Sequence, residues 1–181
     1  MTRDDWMLDG DRRAAAAERI HRAAVDLVLA DGLDGLDIDV LAARLHCSRA
    51  TVYRYAGGKA AIRDAVLMRL AAGVVEKVRV AVEGRSGPER VIAAIEVALE
   101  QIRADPMRRL MVAGMNALDL GGLHDSPLLG RLAADLTGIT DDDPEAAQWI
   151  VRVVVSLAYW PTGDPRTEKH LLRRFVAPAF R

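Results

Sequence analysis

The chain has 181 residues, a formal net charge of −1, 51% hydrophobic side chains and only 4% aromatic ones. Such a length suits one or two domains with a real core, and a composition dominated by Ala, Val and Leu favours helices packed closely on one another. One cysteine, Cys47, excludes an internal disulfide and a multi-cysteine metal site, and the near-neutral charge means that any attraction for a polyanion must come from a local patch.

The opening MTRDDWMLDGDRR is polar and acidic, without the apolar stretch of a secretory signal, and residues 1–10 read as a mobile arm. A first helix is predicted from about Asp11 to Ala30, with Ile20, Ala24, Leu27 and Val28 as its buried stripe and Gly32 as its stop. The segment DIDVLAARLHCSRATVYRYAGGK, residues 37–59, then reads as two short helices and a tight turn. Asp37 is an N-cap, and Ile38, Leu41, Ala42 and Leu45 give the first of the two helices an apolar face. His46 and Cys47 occupy the turn, Ser48 caps the second helix and Gly57–Gly58 end it. Cys47 suits a small core residue better than a redox sensor.

Ser48, Arg49, Thr51, Tyr53, Arg54, Tyr55 and Lys59 fall within twelve positions, with no acid among them. Arg and Lys neutralise phosphates, hydroxyls donate to phosphate oxygens, and the first residues of a recognition helix reach base edges. From Arg44 to Arg69 there are six basic residues against the single acid Asp64. A solvated basic helix in an ordinary bundle is the competing reading; the turn, the two caps and the mixture of hydroxyl, aromatic and basic groups together weigh against it.

This segment resembles the DNA-binding domain of the tetracycline-repressor (TetR) family of transcriptional regulators. The residues that carry the resemblance are Gly32, Ile38, Leu41, Ala42, Ser48, Thr51, Val52, Tyr53, Tyr55, Gly57 and Lys59, and it extends over about residues 12–70. Three positions depart from the family pattern. Asp37 replaces a usual Thr that touches phosphate, His46 replaces a usual turn Gly, and Ala56 replaces a usual Phe. The resemblance implies that Ser48, Arg49 and Thr51 read bases and that Tyr53, Tyr55 and Lys59 contact phosphates, with Arg54 on the same surface.

A long helix is predicted over residues 59–82, about 36 Å at 1.5 Å per residue, linking a DNA-binding domain of residues 1–58 to a second domain of residues 59–181. Beyond it, Pro follows Gly87, Asp105, Ser126, Asp143 and Asp164, a start signal that predicts helices over about 88–104, 106–118, 127–137, 144–160 and 165–180. The expected fold is therefore all-α, about nine helices, with an N-terminal helix-turn-helix domain and a C-terminal helical bundle. PEAAQWIVRVVVSLAYW is apolar nearly all round; its Val run also suits a buried strand, but its length and its Asp-Pro-Glu start favour helix.

The resemblance implies a homodimer built on the last two helices, with Leu171, Leu172, Phe175 and Val176 as interface candidates; completion of the monomer core is the alternative. It also implies a small-molecule effector among the later helices. Met107, Met111, Met115, Leu118, Trp149 and Val153 are lining candidates and Gln101, Asn116 and Arg152 polar anchors, against plain core packing.

His21, His46, His124 and His170 show no metal-ligand spacing, and no GxSxG, phosphate loop or HExxH is present. No enzyme, metal or cofactor is expected. No apolar run is long enough to span a membrane, so a cytoplasmic protein is expected. The reading is a one-component regulator, a repressor binding a palindromic double-stranded operator and released by an apolar or amphipathic effector. A helical ligand-binding or protein-interaction module with weakened DNA binding is the second reading.

Overall fold

The structure, a computed structural model, describes residues 5–104, 126–139 and 143–180. All regular structure among these residues is helical: α1 Asp5–Asp31, α2 Ile38–Arg44, α3 Arg49–Ala56, α4 Lys59–Val82, α5 Gly87–Arg103, α6 Pro127–Thr137, α7 Pro144–Tyr159 and α8 Pro165–Leu171. The expected helix over 106–118 lies outside the described residues.

α1 begins at Asp5, so residues 5–10 extend the helix where a mobile arm was expected. An interior glycine such as Gly10 costs only about 1 kcal/mol against Ala, too little to stop a helix propagating through it. The C-terminal segment also departs from one continuous α-helix. After α8 the backbone widens into a π-turn over Leu172–Val176, in which the Ala177 N–H donates to the Leu172 carbonyl, and closes as a 3₁₀ turn over Ala177–Phe180. Pro178 accounts for this: it has no N–H for the carbonyl four residues back, and its ring crowds that carbonyl.

Packing divides the chain into two compact units, one of residues up to Leu70 and one continuing from Ala71 through the C-terminal helices, so the division falls inside α4 rather than before it. In the first unit α1 packs on α2 and α3. Ile20, Ala24, Leu27 and Val28 of α1 are buried, with Leu36, Ile38, Leu41, Ala42, Val52 and, from α4, Ile62 and Val66. Arg69 grips Glu18 with both terminal nitrogens, which ties α4 back to α1.

In the second unit Val91, Ile95 and Leu99 of α5 meet Ile150 of α7 and Leu172 and Val176 of the C-terminal segment. Val78 and Val82 of α4 pack on Ala93 and Ala94. A partly buried ion pair locks three elements. Arg103 donates through Nη1 and Nη2 to the two carboxylate oxygens of Glu168 at 3.1 and 2.5 Å, and through Nη2 to the Leu157 carbonyl at 3.0 Å. Glu168 is only 7% exposed, so the fork supplies hydrogen bonds that solvent cannot. Arg90 closes the end of α6 by donating to the carbonyls of Asp135 and Leu136.

Candidate nucleic-acid interface

The helix-turn-helix is set by local hydrogen bonds. Asp37 Oδ1 accepts the backbone N–H of Asp39 at 2.6 Å and of Val40 at 3.1 Å, opening α2. These two N–H groups hold the Asp37 carboxyl below its ordinary pKa, with Lys59 and Arg49 adding smaller attractions. α2 closes in a Schellman arrangement: the His46 N–H donates to Ala43 O and the Cys47 N–H to Ala42 O. His46 carries φ +52°, the left-handed conformation that glycine adopts most easily.

Ser48 then starts α3. Its Oγ accepts the Thr51 N–H at 3.1 Å and lies 2.9 Å from Thr51 Oγ1. Val52 is completely buried and pins α3 to the core, which turns the opposite face outward. Gly57 ends α3 at φ +80°, where an added Cβ would come within 3.0 Å of the Ala61 Cβ.

The seven candidates on this surface fall as follows. Ser48, Arg49, Tyr53, Arg54 and Lys59 are exposed, while Thr51 and Tyr55 are half-buried. The Arg54 guanidinium lies over the Tyr55 ring at 4.7 Å, and an α1 residue, Arg13, donates to the Arg54 carbonyl. Arg49 carries a feature that sequence reasoning missed: its Nε lies 3.1 Å from Asp39 Oδ1 of α2. Ten positions and a turn separate the pair, so no local pattern announces it.

The C-terminal candidates are regrouped by the structure. Trp149, Arg152 and Val153, expected around an effector, line a groove of about 360 Å³ together with Ser156, Leu157 and the four interface candidates. The four interface candidates themselves divide. Leu172 and Val176 belong to the core of their own unit, Leu171 is half-buried, and Phe175 is 63% exposed. Leu172 and Val176 continue the buried stripe that Glu168 begins, every fourth residue facing inward. Gln101 lies apart from the groove and accepts a hydrogen bond from Lys77 Nζ at 2.5 Å. Met107, Met111, Met115, Asn116 and Leu118 lie outside the described residues. Among the described residues no group of His, Cys, Asp and Glu has the makings of a metal site, and no helix is long and apolar enough to cross a membrane.

Residues 20–66 match the model of bacterial regulatory proteins of the tetR family. Along 186 aligned positions the chain is 30% identical to the uncharacterized HTH-type transcriptional regulator Rv1255c of Mycobacterium tuberculosis, covering 98% of this chain and 91% of that protein. The chain belongs to the tetR family.

The fold agrees. The structure is similar to the TetR family repressor AlkX from a Dietzia species, implicated in biodegradation of n-alkanes, with a TM-score of 0.56 at 19% identity, covering 89% of this chain and 92% of that one. The R. erythropolis repressor QsdR gives a TM-score of 0.56 at 20% identity, covering 88% and 90%. Members of the tetR family are DNA-binding transcription regulators rather than enzymes, and the exposed basic and hydroxyl groups around α3 of this tetR chain are of the kind that such binding uses.

Proposed function

We propose that this tetR-family chain is a homodimeric one-component repressor that binds a palindromic operator through α2 and α3. The observation that carries the reading is α3 itself. Val52 holds it from beneath while Arg49, Tyr53 and Arg54 stand exposed beside Lys59 at the start of α4. In this reading Ser48, Arg49 and Thr51, the cap and first turn of the helix, read bases, while Tyr53, Tyr55 and Lys59 contact phosphates. The names of AlkX and QsdR support repression, and a regulator of bacterial genes acts in the cytoplasm.

Dimerisation would use the groove between α7 and the C-terminal segment, where Trp149 and Phe175 leave apolar surface uncovered at 51% and 63% exposure. A small apolar or amphipathic effector would release the operator by binding one arrangement of the two α3 helices better than the other. α4 is the route, because it is one helix from Lys59 to Val82 and contributes to both compact units.

The test is selection of duplexes from a random pool, followed by binding at several salt concentrations. A palindrome with half-sites about 34–36 Å apart, or a multiple of it, is expected, with affinity that falls steeply with salt. A coupling of about 1–3 kcal/mol would let a true effector weaken operator binding roughly 5- to 150-fold, and operator DNA must weaken effector binding by the same factor. The acids Asp37 and Asp39 beside the recognition helix favour the second reading, a helical ligand-binding or interaction module. Failure to enrich any duplex would decide for it.

A further inference from the structure

Two carboxylates stand at the start of α2, on a surface expected to meet phosphates. Asp37 has a local task, since it caps α2 through the N–H groups of Asp39 and Val40. Asp39 has none of that kind. Its partner is Arg49 Nε at 3.1 Å, with the two side chains 63% and 61% exposed. An exposed pair contributes little to a fold, an acid in the first turn of α2 adds a modest attraction to the helix N-terminus, and neither accounts for its place beside DNA phosphates.

Arg49 is the first residue of α3, where a recognition helix touches base edges. Reading guanine requires two donors held at the spacing of O6 and N7. With Nε drawn to Asp39, the two Nη groups remain as a planar pair of donors, and the long side chain is biased toward that arrangement before DNA arrives. The neighbouring negative charge also makes Arg49 a poorer general phosphate contact.

Resting on the DNA-binding reading above, we propose that Asp39 is a positioning residue that aims Arg49 at a guanine and so sets operator specificity rather than affinity. The experiment takes the operator that the full chain enriches and replaces its guanines one at a time with 7-deazaguanine, which lacks the N7 acceptor. The unmodified chain should lose roughly 5- to 150-fold at the position Arg49 reads. Asp39→Ala should shrink that penalty to less than about 3-fold and bind unrelated duplexes more tightly, with its thermal unfolding midpoint only slightly lowered. Asp39→Asn keeps an acceptor at the same reach and should retain part of the penalty. In the Arg49→Ala background, Asp39→Ala should alter discrimination no further. If Asp39→Ala strengthens every duplex by one factor and leaves the guanine penalty intact, Asp39 is only a charge and the proposal fails. Equal behaviour of the Asn and Ala variants would also overturn it, as would an operator with no guanine dependence. Failure to enrich any duplex would instead remove the DNA-binding reading on which it stands.

Discussion

Lys59 and Arg49 are both exposed cations at α3 or its edge, yet they should report different things. A phosphate contact carries no sequence information. Lys59→Ala should therefore weaken binding to all duplexes alike and make the salt slope shallower by about one unit. Arg49→Ala should lose about 1–3 kcal/mol on the operator and relax preference at one base pair per half-site. Binding isotherms on matched and mismatched duplexes separate the two, and identical behaviour would show the assignment to be mistaken. His21 makes a second residue-scale prediction. Burial, aided by Arg69, lowers its pKa below the ordinary 6.5, with Glu18 opposing. The unfolded chain then takes up a proton at higher pH than the folded one, so stability falls as pH drops through 6.5 toward the lowered value. His21→Gln should flatten the pH dependence of the urea midpoint over that window.

At the scale of elements, the turn between α2 and α3 has the hydrogen bonds of a Schellman motif but a histidine at its left-handed position. An L-residue there costs about 1–2 kcal/mol, and glycine's greater unfolded freedom returns about half of any gain. His46→Gly should raise stability by about 0.5–1 kcal/mol in a thermal melt. A larger effect is expected at the clamp of α5, α7 and α8. Glu168→Ala leaves Arg103 without its carboxylate in a partly buried site, and should cost about 3 kcal/mol, toward the low end for buried pairs because Arg103 keeps some solvent contact. Replacing both residues by apolar ones of similar size should cost less. Denaturant unfolding of the two variants measures the difference.

For the whole molecule, the question is what covers Trp149 and Phe175. Large apolar side chains exposed beside an open groove suit a partner surface. In a two-fold dimer each substitution acts twice, because the same patch serves both copies. Phe175→Glu should yield a monomer by sedimentation with its helical circular dichroism intact, since Phe175 lies outside its own core. The monomer should also lose cooperative operator binding, whereas an unchanged dimer would move the interface elsewhere.

The amino-acid sequence by itself determined the kind and order of the elements, because the signals are local. Asp143 and Asp164 each precede a proline and cap the following helix, bonding to backbone N–H groups two or three positions on. α4 and α6 span the predicted residues, and the caps of α2 and α3 are Asp37 and Ser48 as read from residue type. What only the tertiary structure decided is which way the helices face. α7 is apolar nearly all round, so its sequence leaves its rotation open. Packing sends Ile150 and Val151 inward and leaves Trp149, like Phe175, exposed in the lining of the groove. The same holds for Leu172, buried, and Phe175, exposed, three positions apart in the C-terminal segment. Partners distant in sequence were equally illegible. Arg103 and Glu168 are 65 residues apart, and each alone reads as an ordinary surface charge until the fold brings them together.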